Sequence, residues 1–144
     1  MDVRIYTDGG SRGNPGSAAS GAVIKELKSG KEGAVIATAS KFLGNDTNNQ
    51  AEYTAIIIGL EKAHKLGAKR VEMYMDSQLA ERQLNGKYKV KDARIAKRFL
   101  EVKNLLHHFD RVTFTHIRRE KNKEADAIVN NILDEWEKKV ASSK

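Results

Sequence analysis

Cysteine is absent from this chain of 144 residues, and proline occurs only once. Without cysteine, disulfides and thiolate zinc sites are excluded, so a bound metal must take oxygen or imidazole ligands. The chain also lacks an apolar run of roughly eighteen residues, which a membrane-spanning helix would need. Its first eight residues alternate in polarity and carry Asp2 and Arg4, unlike a signal peptide. These absences predict a cytoplasmic protein without a membrane partner.

Long linkers, repeats and low-complexity tracts are missing as well, so nothing in the sequence marks a domain boundary. The length of 144 residues suits one compact domain with one core. We therefore predict a single domain over residues 1–140 and a frayed tail over residues 141–144. The oligomeric state is not encoded in any pattern we recognise, and a monomer is the default expectation.

The charge is strongly positive, with a formal net charge of +7 and a calculated pI of about 9.6. A basic protein gains affinity for a polyanion because each neutralised phosphate releases counterions. Many basic proteins bind no nucleic acid, however, so the charge alone does not decide the function.

The first third of the chain predicts three strands. Residues 2–8 alternate with the period of a strand and are followed by a glycine-rich turn over residues 9–16. Residues 20–27 and 33–42 predict two further strands, joined as a hairpin by the turn at residues 28–31. Three successive antiparallel strands are the natural interpretation.

The remainder alternates between helical and strand patterns. Thr47 or Asn48 can cap a helix that Gly67 ends. The later elements are predicted as a strand at 70–75, helices at 77–84 and 92–108, a strand at 111–117, and a helix from residue 122 to beyond Trp136. The order βββαβααβα predicts an α/β domain whose mixed sheet has its last strands parallel to the first.

Four carboxylates fall at notable places in these elements. Asp8 and Asp76 each end a predicted strand, and ligand sites in open α/β sheets lie beyond the carboxyl ends of strands. Glu52 and Asp126 lie on helical stripes that face a core. A desolvated carboxylate there is costly unless a metal ion or an ion pair offsets its charge.

Each acid taken singly has an ordinary explanation, as a turn former, a helix cap or a first-turn residue. Together they favour a shared site, because the chain has no GxSxG elbow, no GxxxxGK[ST] loop and no HExxH motif. Hard oxygen donors suit Mg²⁺ or Mn²⁺. Two such ions, about 3.5–4 Å apart, can activate water and stabilise the leaving oxygen of a phosphodiester.

Four motifs carry a resemblance that covers nearly the whole chain. They are YTDGGSRGNPG at residues 6–16, TNNQAE at 47–52, MDSQ at 75–78 and NKEAD at 122–126. In the order and placement of these motifs, the chain resembles type 1 ribonuclease H. The resemblance implies a five-stranded mixed sheet with helices on both faces. It also implies that Asp8, Glu52, Asp76 and Asp126 bind two divalent ions, Mg²⁺ by expectation or else Mn²⁺.

The resemblance further implies an endonuclease that hydrolyses the RNA strand of an RNA/DNA hybrid, leaving 5′-phosphate and 3′-hydroxyl ends. Contacts with the 2′-hydroxyls in the minor groove would distinguish RNA from DNA. The substrate-binding residues carried over are Gly10, Ser11, Arg12, Asn14, Thr47, Asn48, Asn49, Gln50, Ser77 and Gln78. Asn48 and Asn49 also admit a simpler explanation as helix-capping residues.

Two features depart from the family pattern. Many members carry a long basic helical insert where this chain has only residues 85–91 between two helices. Lys87, Lys89 and Lys91 either replace part of its contact with the hybrid or belong to a solvated loop. Many relatives also have a mobile histidine before the last acid. His116 has the matching distance but lies on a predicted strand, so a fixed strand-end histidine is an equal alternative. Arg119 can instead supply a positive charge at the scissile phosphate.

Three competing functions remain open on the sequence. A non-catalytic module that binds hybrid or double-stranded RNA would not need all four acids. A transposase or resolvase domain would have no use for residues that read a 2′-hydroxyl. A reverse transcriptase nuclease domain is the third alternative. Because the chain begins at Met1, we expect a free-standing enzyme instead.

Overall fold

One five-stranded sheet organises the computed structural model, which describes residues 1–143. Its strands are β1 (Asp2–Gly13), β2 (Gly16–Lys28), β3 (Lys31–Asp46), β4 (Arg70–Met75) and β5 (Arg111–His116). They lie side by side in the order β3-β2-β1-β4-β5. The first three strands pair antiparallel, whereas β4 runs parallel to β1 and β5 parallel to β4. The predicted mixed sheet is confirmed.

Four helices connect and cover the strands. They are α1 (Asn48–Lys65), α2 (Gln78–Leu84), α3 (Ala93–Leu105) and α4 (Lys123–Ser142), with short 3-10 turns at Leu106–His108 and Arg119–Lys121. The predicted element order is thereby confirmed. No helix within residues 1–143 combines the length and the apolar character needed to cross a membrane.

The helices lie on both faces of the sheet, as predicted. Gly59 of α1 comes close to Ile5 and Ala22, which point to one face. A Cβ atom on Gly21, the next residue along β2 from Ala22 toward its start, would point to the opposite face and lie 2.8 Å from Ile128 of α4. The larger core lies on the α1 face, where buried side chains from β1, β2 and β4 meet α1, α2 and α3.

The ends of α1 follow the local signals in the sequence. The Thr47 side chain accepts a hydrogen bond from the backbone N–H of Gln50, which caps the helix as expected. At the other end Gly67 adopts a φ of 83°, a left-handed conformation that glycine tolerates best. The cap therefore sets the position of Glu52 one turn into the helix.

The predicted glycine-rich turn over residues 9–16 is wrong for most of its length. β1 continues through Gly13, and its pairing with β2 extends from Gly9 opposite Ser20 to Gly13 opposite Gly16. Backbone hydrogen bonds are available to glycine as to any residue, so pairing outweighed its low strand propensity. The actual turn contains only Asn14 and Pro15.

Several element ends also differ from the sequence prediction: β2 begins at Gly16 rather than residue 20, and β3 continues to Asp46 rather than residue 42. The helix predicted to reach His108 ends at Leu105 and tightens into the 3-10 turn. At the carboxyl end, α4 continues to Ser142, two residues into the segment predicted to fray. Lys144 belongs to that predicted tail but lies outside the described residues.

Candidate active site

Two of the four predicted acids meet because their strands are parallel neighbours. Thr7 of β1 lies opposite Met75 of β4 in the register, so Asp8 and Asp76 follow at the same edge of the sheet. Asp8 is 7% exposed, whereas Asp76 is half-buried. The expected juxtaposition is confirmed, but the prediction that Asp8 ends its strand is wrong, because β1 continues to Gly13 and only its pairing with β4 stops at Thr7.

Glu52 joins them because α1 packs directly against β1. A Cβ atom on Gly9 would lie 2.2 Å from the backbone carbon of Ala51, so only glycine permits this approach. The backbone N–H of Gly9 donates to Glu52 Oε1 at 3.3 Å. Glu52 is 9% exposed, and its Oε2 atom is buried without a partner in the described structure.

Three of the acids form one cluster in the wall of a cleft. One carboxylate oxygen from each of Asp8, Glu52 and Asp76 lies within 4.8 Å of the others. Asp126, in the first turn of α4, lines the same cleft from the opposite face of the sheet. The side chain of Asn130 donates to Asp126 Oδ2 at 3.1 Å and so orients this fourth acid.

The close packing of the acids opposes their ionisation. Burial, followed by the negative charges of Asp76 and Asp126, raises the pKa of Asp8 to about 7. Burial and the charges of Asp8 and Asp76 raise the pKa of Glu52 well above its ordinary value. A site that concentrates unpaired negative charge in this way is complementary to cations.

The donor set fits hard divalent ions such as Mg²⁺. The ligand atoms are carboxylate oxygens at mutual distances suited to one coordination sphere, and no donor among residues 1–143 reaches Glu52 Oε2. Within the described residues, no lysine or arginine nitrogen lies within 4.0 Å of a carboxylate oxygen of Asp8, Glu52 or Asp76. The charge of the cluster is therefore available to metal ions.

The cleft has a volume of about 490 Å³ and brings together most of the predicted site residues. Arg119, exposed on the second 3-10 turn, is one of its lining residues. The others are Asp8, Gly9, Gly10, Ser11, Arg12, Asn48, Glu52, Asp76, Asp126, Val129, Asn130 and Leu133. His116 is not among them: it ends β5 opposite Met75, on the face away from Asp76.

A corner between β1 and α1 forms the next part of the surface. Asn48 Oδ1 accepts a hydrogen bond from the backbone N–H of Ser11 at 2.8 Å. The backbone N–H of Asn48 donates in turn to Asn14 Oδ1 at 3.1 Å. These contacts fix the exposed Asn48 beside the cleft.

A smaller depression of about 220 Å³ continues this surface toward α3. It is lined by Asn14, Thr47, Asn49, Gln50, Asp92, Arg94 and Ile95. Gln50 is 3% exposed, and its Oε1 accepts from Arg98 Nε at 3.1 Å. The predicted contact residues therefore divide between two adjoining hollows.

The other predicted contacts have structural partners of their own. The Arg12 guanidinium forms ion pairs with Asp134 at 2.7 Å and Glu137 at 2.8 Å, both on α4. Ser77 caps α2 by accepting from the backbone N–H of Ala80. Gln78 begins α2 and is exposed.

Two asparagines of the site were missed in the sequence. Asn130 follows Asp126 by four residues, so the helical period places both on one face, and that spacing was a usable signal. Asn122 was noticed only as part of a motif, although its side chain donates to Asp76. Its contact joins residues 46 positions apart and has no local signature.

Comparison with known proteins places this geometry in a family. A family model described as "Reverse transcriptase-like" matches residues 6–132. A ribonuclease HI from Halobacterium salinarum is 43% identical over 133 residues, which are 92% of this chain and 65% of that protein. The chain belongs to the type 1 ribonuclease H family. It spans less than two-thirds of this relative and 36% of a bifunctional protein from Mycobacterium tuberculosis that is 39% identical.

Solved structures of ribonuclease H domains have the same fold. The crystal structure of ribonuclease H1 from Halobacterium salinarum is 40% identical and superposes with a TM-score of 0.87, covering 94% of this chain and 99% of that chain. A ribonuclease H1 isolated from compost, in complex with RNA/DNA hybrid, is 40% identical with a TM-score of 0.83. The match covers 90% of this chain and 94% of that chain.

Proposed function

We propose that this ribonuclease H family member is an endonuclease that hydrolyses the RNA strand of RNA/DNA hybrids, leaving 5′-phosphate and 3′-hydroxyl ends. The observation that carries the proposal is the cluster of Asp8, Glu52 and Asp76 within 4.8 Å, with Asp126 across the same cleft. Family membership and a relative solved with an RNA/DNA hybrid support the substrate class.

The four acids would hold two divalent ions, by expectation Mg²⁺, with Mn²⁺ as the alternative. When bound, such ions supply an activated water and stabilise the leaving oxygen of the phosphodiester. The chain's own contribution is to hold the acids in place: Gly9 fixes Glu52 against β1, and Asn130 orients Asp126. Arg119, at the cleft wall, would add positive charge near the scissile phosphate.

Recognition of the hybrid is assigned to the two adjoining hollows. Asn48 keeps its side-chain N–H groups available beside the cleft because only its Oδ1 is bound by Ser11. Asn49 and Gln50 line the second hollow. Amide groups there can read 2′-hydroxyls in the minor groove. His116 has no role in this proposal because it lies outside the cleft.

A cleavage assay tests the proposal. The purified protein is incubated with labelled RNA/DNA hybrid and with matched RNA/RNA and DNA/DNA duplexes, in Mg²⁺, in Mn²⁺ and in chelator. We expect metal-dependent cutting of the RNA strand of the hybrid. The products should carry 3′-hydroxyl ends, which a polymerase can extend. Asp76→Asn should lower the rate by at least about 10²-fold, since loss of a ligand disturbs the whole cluster.

Asp110→Asn is the matched control, because Asp110 is an exposed acid in the loop before β5. It should cut at the rate of the unmodified chain. If the hybrid is bound but left uncut with either metal present, the protein would instead be a non-catalytic binding module.

A further inference from the structure

Asn122 stands at the start of α4 but does not behave as an ordinary helix cap. It is 1% exposed, and its side chain accepts no capping hydrogen bond from the helix. Its Nδ2 donates instead to the backbone oxygen of Thr7 at 2.8 Å and to Asp76 Oδ2 at 3.2 Å. Both hydrogens of the amide are therefore directed into the active site.

The two acceptors lie where the pairing between β1 and β4 ends. Thr7 immediately precedes Asp8, and the ladder between β1 and β4 ends at the pair Thr7–Met75. The Asn122 amide thus bridges β1 and β4 at the point where the pairing between these two strands stops. Asp8 is held through the backbone of its neighbour, and Asp76 through a direct bond.

The backbone of Asn122 contacts the third element of the site. Its carbonyl oxygen accepts from the N–H of Asp126 at 3.1 Å, in the first turn of α4. One buried residue therefore connects β1, β4 and α4, the elements that carry Asp8, Asp76 and Asp126.

The orientation of the amide is fixed by its surroundings. Asn122 Oδ1 is buried without a partner in the described structure, an arrangement that lowers stability. The rotated amide would place this oxygen against two acceptors, the Thr7 carbonyl and the Asp76 carboxylate, which is worse. A residue needed only to begin the helix would use the oxygen to cap it.

We propose that Asn122 is a positioning residue, which sets the spacing of Asp8, Asp76 and Asp126 for divalent metal ions. The inference rests on the proposed metal-dependent function. Residues that orient metal ligands by hydrogen bonds commonly matter nearly as much for affinity as the ligands do.

The test is the affinity of the protein for Mg²⁺, measured by calorimetry without nucleic acid, together with thermal unfolding in chelator. In Asn122→Ser the shorter side chain cannot reach both acceptors, although serine is still a good residue at a helix start. We expect the dissociation constant for Mg²⁺ to rise about 10- to 100-fold.

Asn85→Ser is the matched control, since Asn85 Nδ2 also donates to a strand carbonyl, that of Phe114, but away from the acids. It should bind Mg²⁺ as the unmodified chain does, even if its unfolding temperature falls. Asn122→Ala, which leaves no hydrogen-bonding group on the side chain, should repeat the loss of affinity.

An affinity of Asn122→Ser within about twofold of the unmodified chain would overturn the proposal, as would an equal loss in Asn85→Ser. Failure of the unmodified chain to bind Mg²⁺ would instead refute the proposed metal site, and the inference would fail with it. Comparing variants with the unmodified chain thus separates the two failures.

Discussion

At the scale of the residue, the buried acids carry a free-energy cost that the fold must tolerate. Asp8 and Glu52 are almost fully buried, and neither has a cationic partner among the ion pairs of the described residues. Because their pKa values are raised, the folded state binds protons more tightly than the unfolded chain does. Function and stability therefore conflict at these positions.

The pH dependence of stability follows from the direction of these pKa shifts. For Asp8, the folded-state pKa is about 7 against an ordinary value of 3.8. Its contribution to stability is fully present below pH 4 and is lost as the pH rises to about 7. In chelator, we expect Asp8→Asn to raise the free energy of unfolding by roughly 1–3 kcal/mol at pH 8 and by little at pH 4.

Urea denaturation at both pH values measures this difference, with Asp110→Asn as the exposed control whose effect should not depend on pH in this way. Added Mg²⁺ should stabilise the unmodified chain at pH 8 more than Asp8→Asn. A gain from Asp8→Asn that is the same at pH 4 and pH 8 would contradict the assigned pKa.

At the scale of the element, the contact between β1 and α1 determines where Glu52 lies. The helix backbone at Ala51 and Glu52 approaches Gly9 so closely that no side chain fits between them. On the other side of the same contact, the Ser20 hydroxyl donates to the Ala51 carbonyl at 2.6 Å. Both contacts are made to the backbone of the helix, which cannot relax as a side chain can.

Gly9→Ala should therefore damage both stability and activity. The added methyl would force β1 and α1 apart, at a cost of at least about 3 kcal/mol in the free energy of unfolding. It would also separate Glu52 from Asp8, and hybrid cleavage should fall by more than about 10²-fold.

Gly10→Ala provides the control, because its added Cβ meets only Val129 Cγ1, at 3.8 Å. Chemical denaturation should show a loss of less than about 1 kcal/mol for this neighbour. Equal destabilisation by both substitutions would show that glycine flexibility, rather than close packing, is required at residue 9.

At the scale of the whole molecule, the net charge of the chain and the charge of the cleft have opposite signs. The chain has a net charge of +7, although the cleft is lined by four carboxylates. The segment between α2 and α3 contributes three exposed lysines, at positions 87, 89 and 91. Lys91 adjoins Asp92, which lines the hollow that contains Asn49 and Gln50.

Lys91→Ala should weaken binding of RNA/DNA hybrid, measured with Asp76→Asn as the background to prevent cleavage. If Lys91 contacts one phosphate, the slope of log affinity against log salt concentration should fall in magnitude by about one. Lys139→Ala is the control, since Lys139 lies about 20 Å along α4 from Asp126. An unchanged slope would show that Lys91 contacts no phosphate and belongs to a solvated loop.

Much of this molecule was predictable from local sequence. Thr47 begins α1, Gly67 ends it, and alternating residues mark β1, β4 and β5. These features depend on groups only a few positions apart, whose hydrogen bonds and conformational preferences are written in consecutive residues. The placement of Asp76 directly after β4 follows from the same patterns, whereas Asp8 lies within β1 and not at its end.

The tertiary structure decided how these elements meet. It extended β1 through the glycines, directed Arg12 toward α4, and left His116 outside the cleft. It also placed the amide of Asn122, which contacts Thr7 from 115 positions away. Contacts of this kind depend on the packing of whole elements, which no short stretch of sequence encodes. Which acids are present, and on which elements they lie, can be read from consecutive residues, whereas the packing of the elements sets the spacing, burial and pKa of those acids.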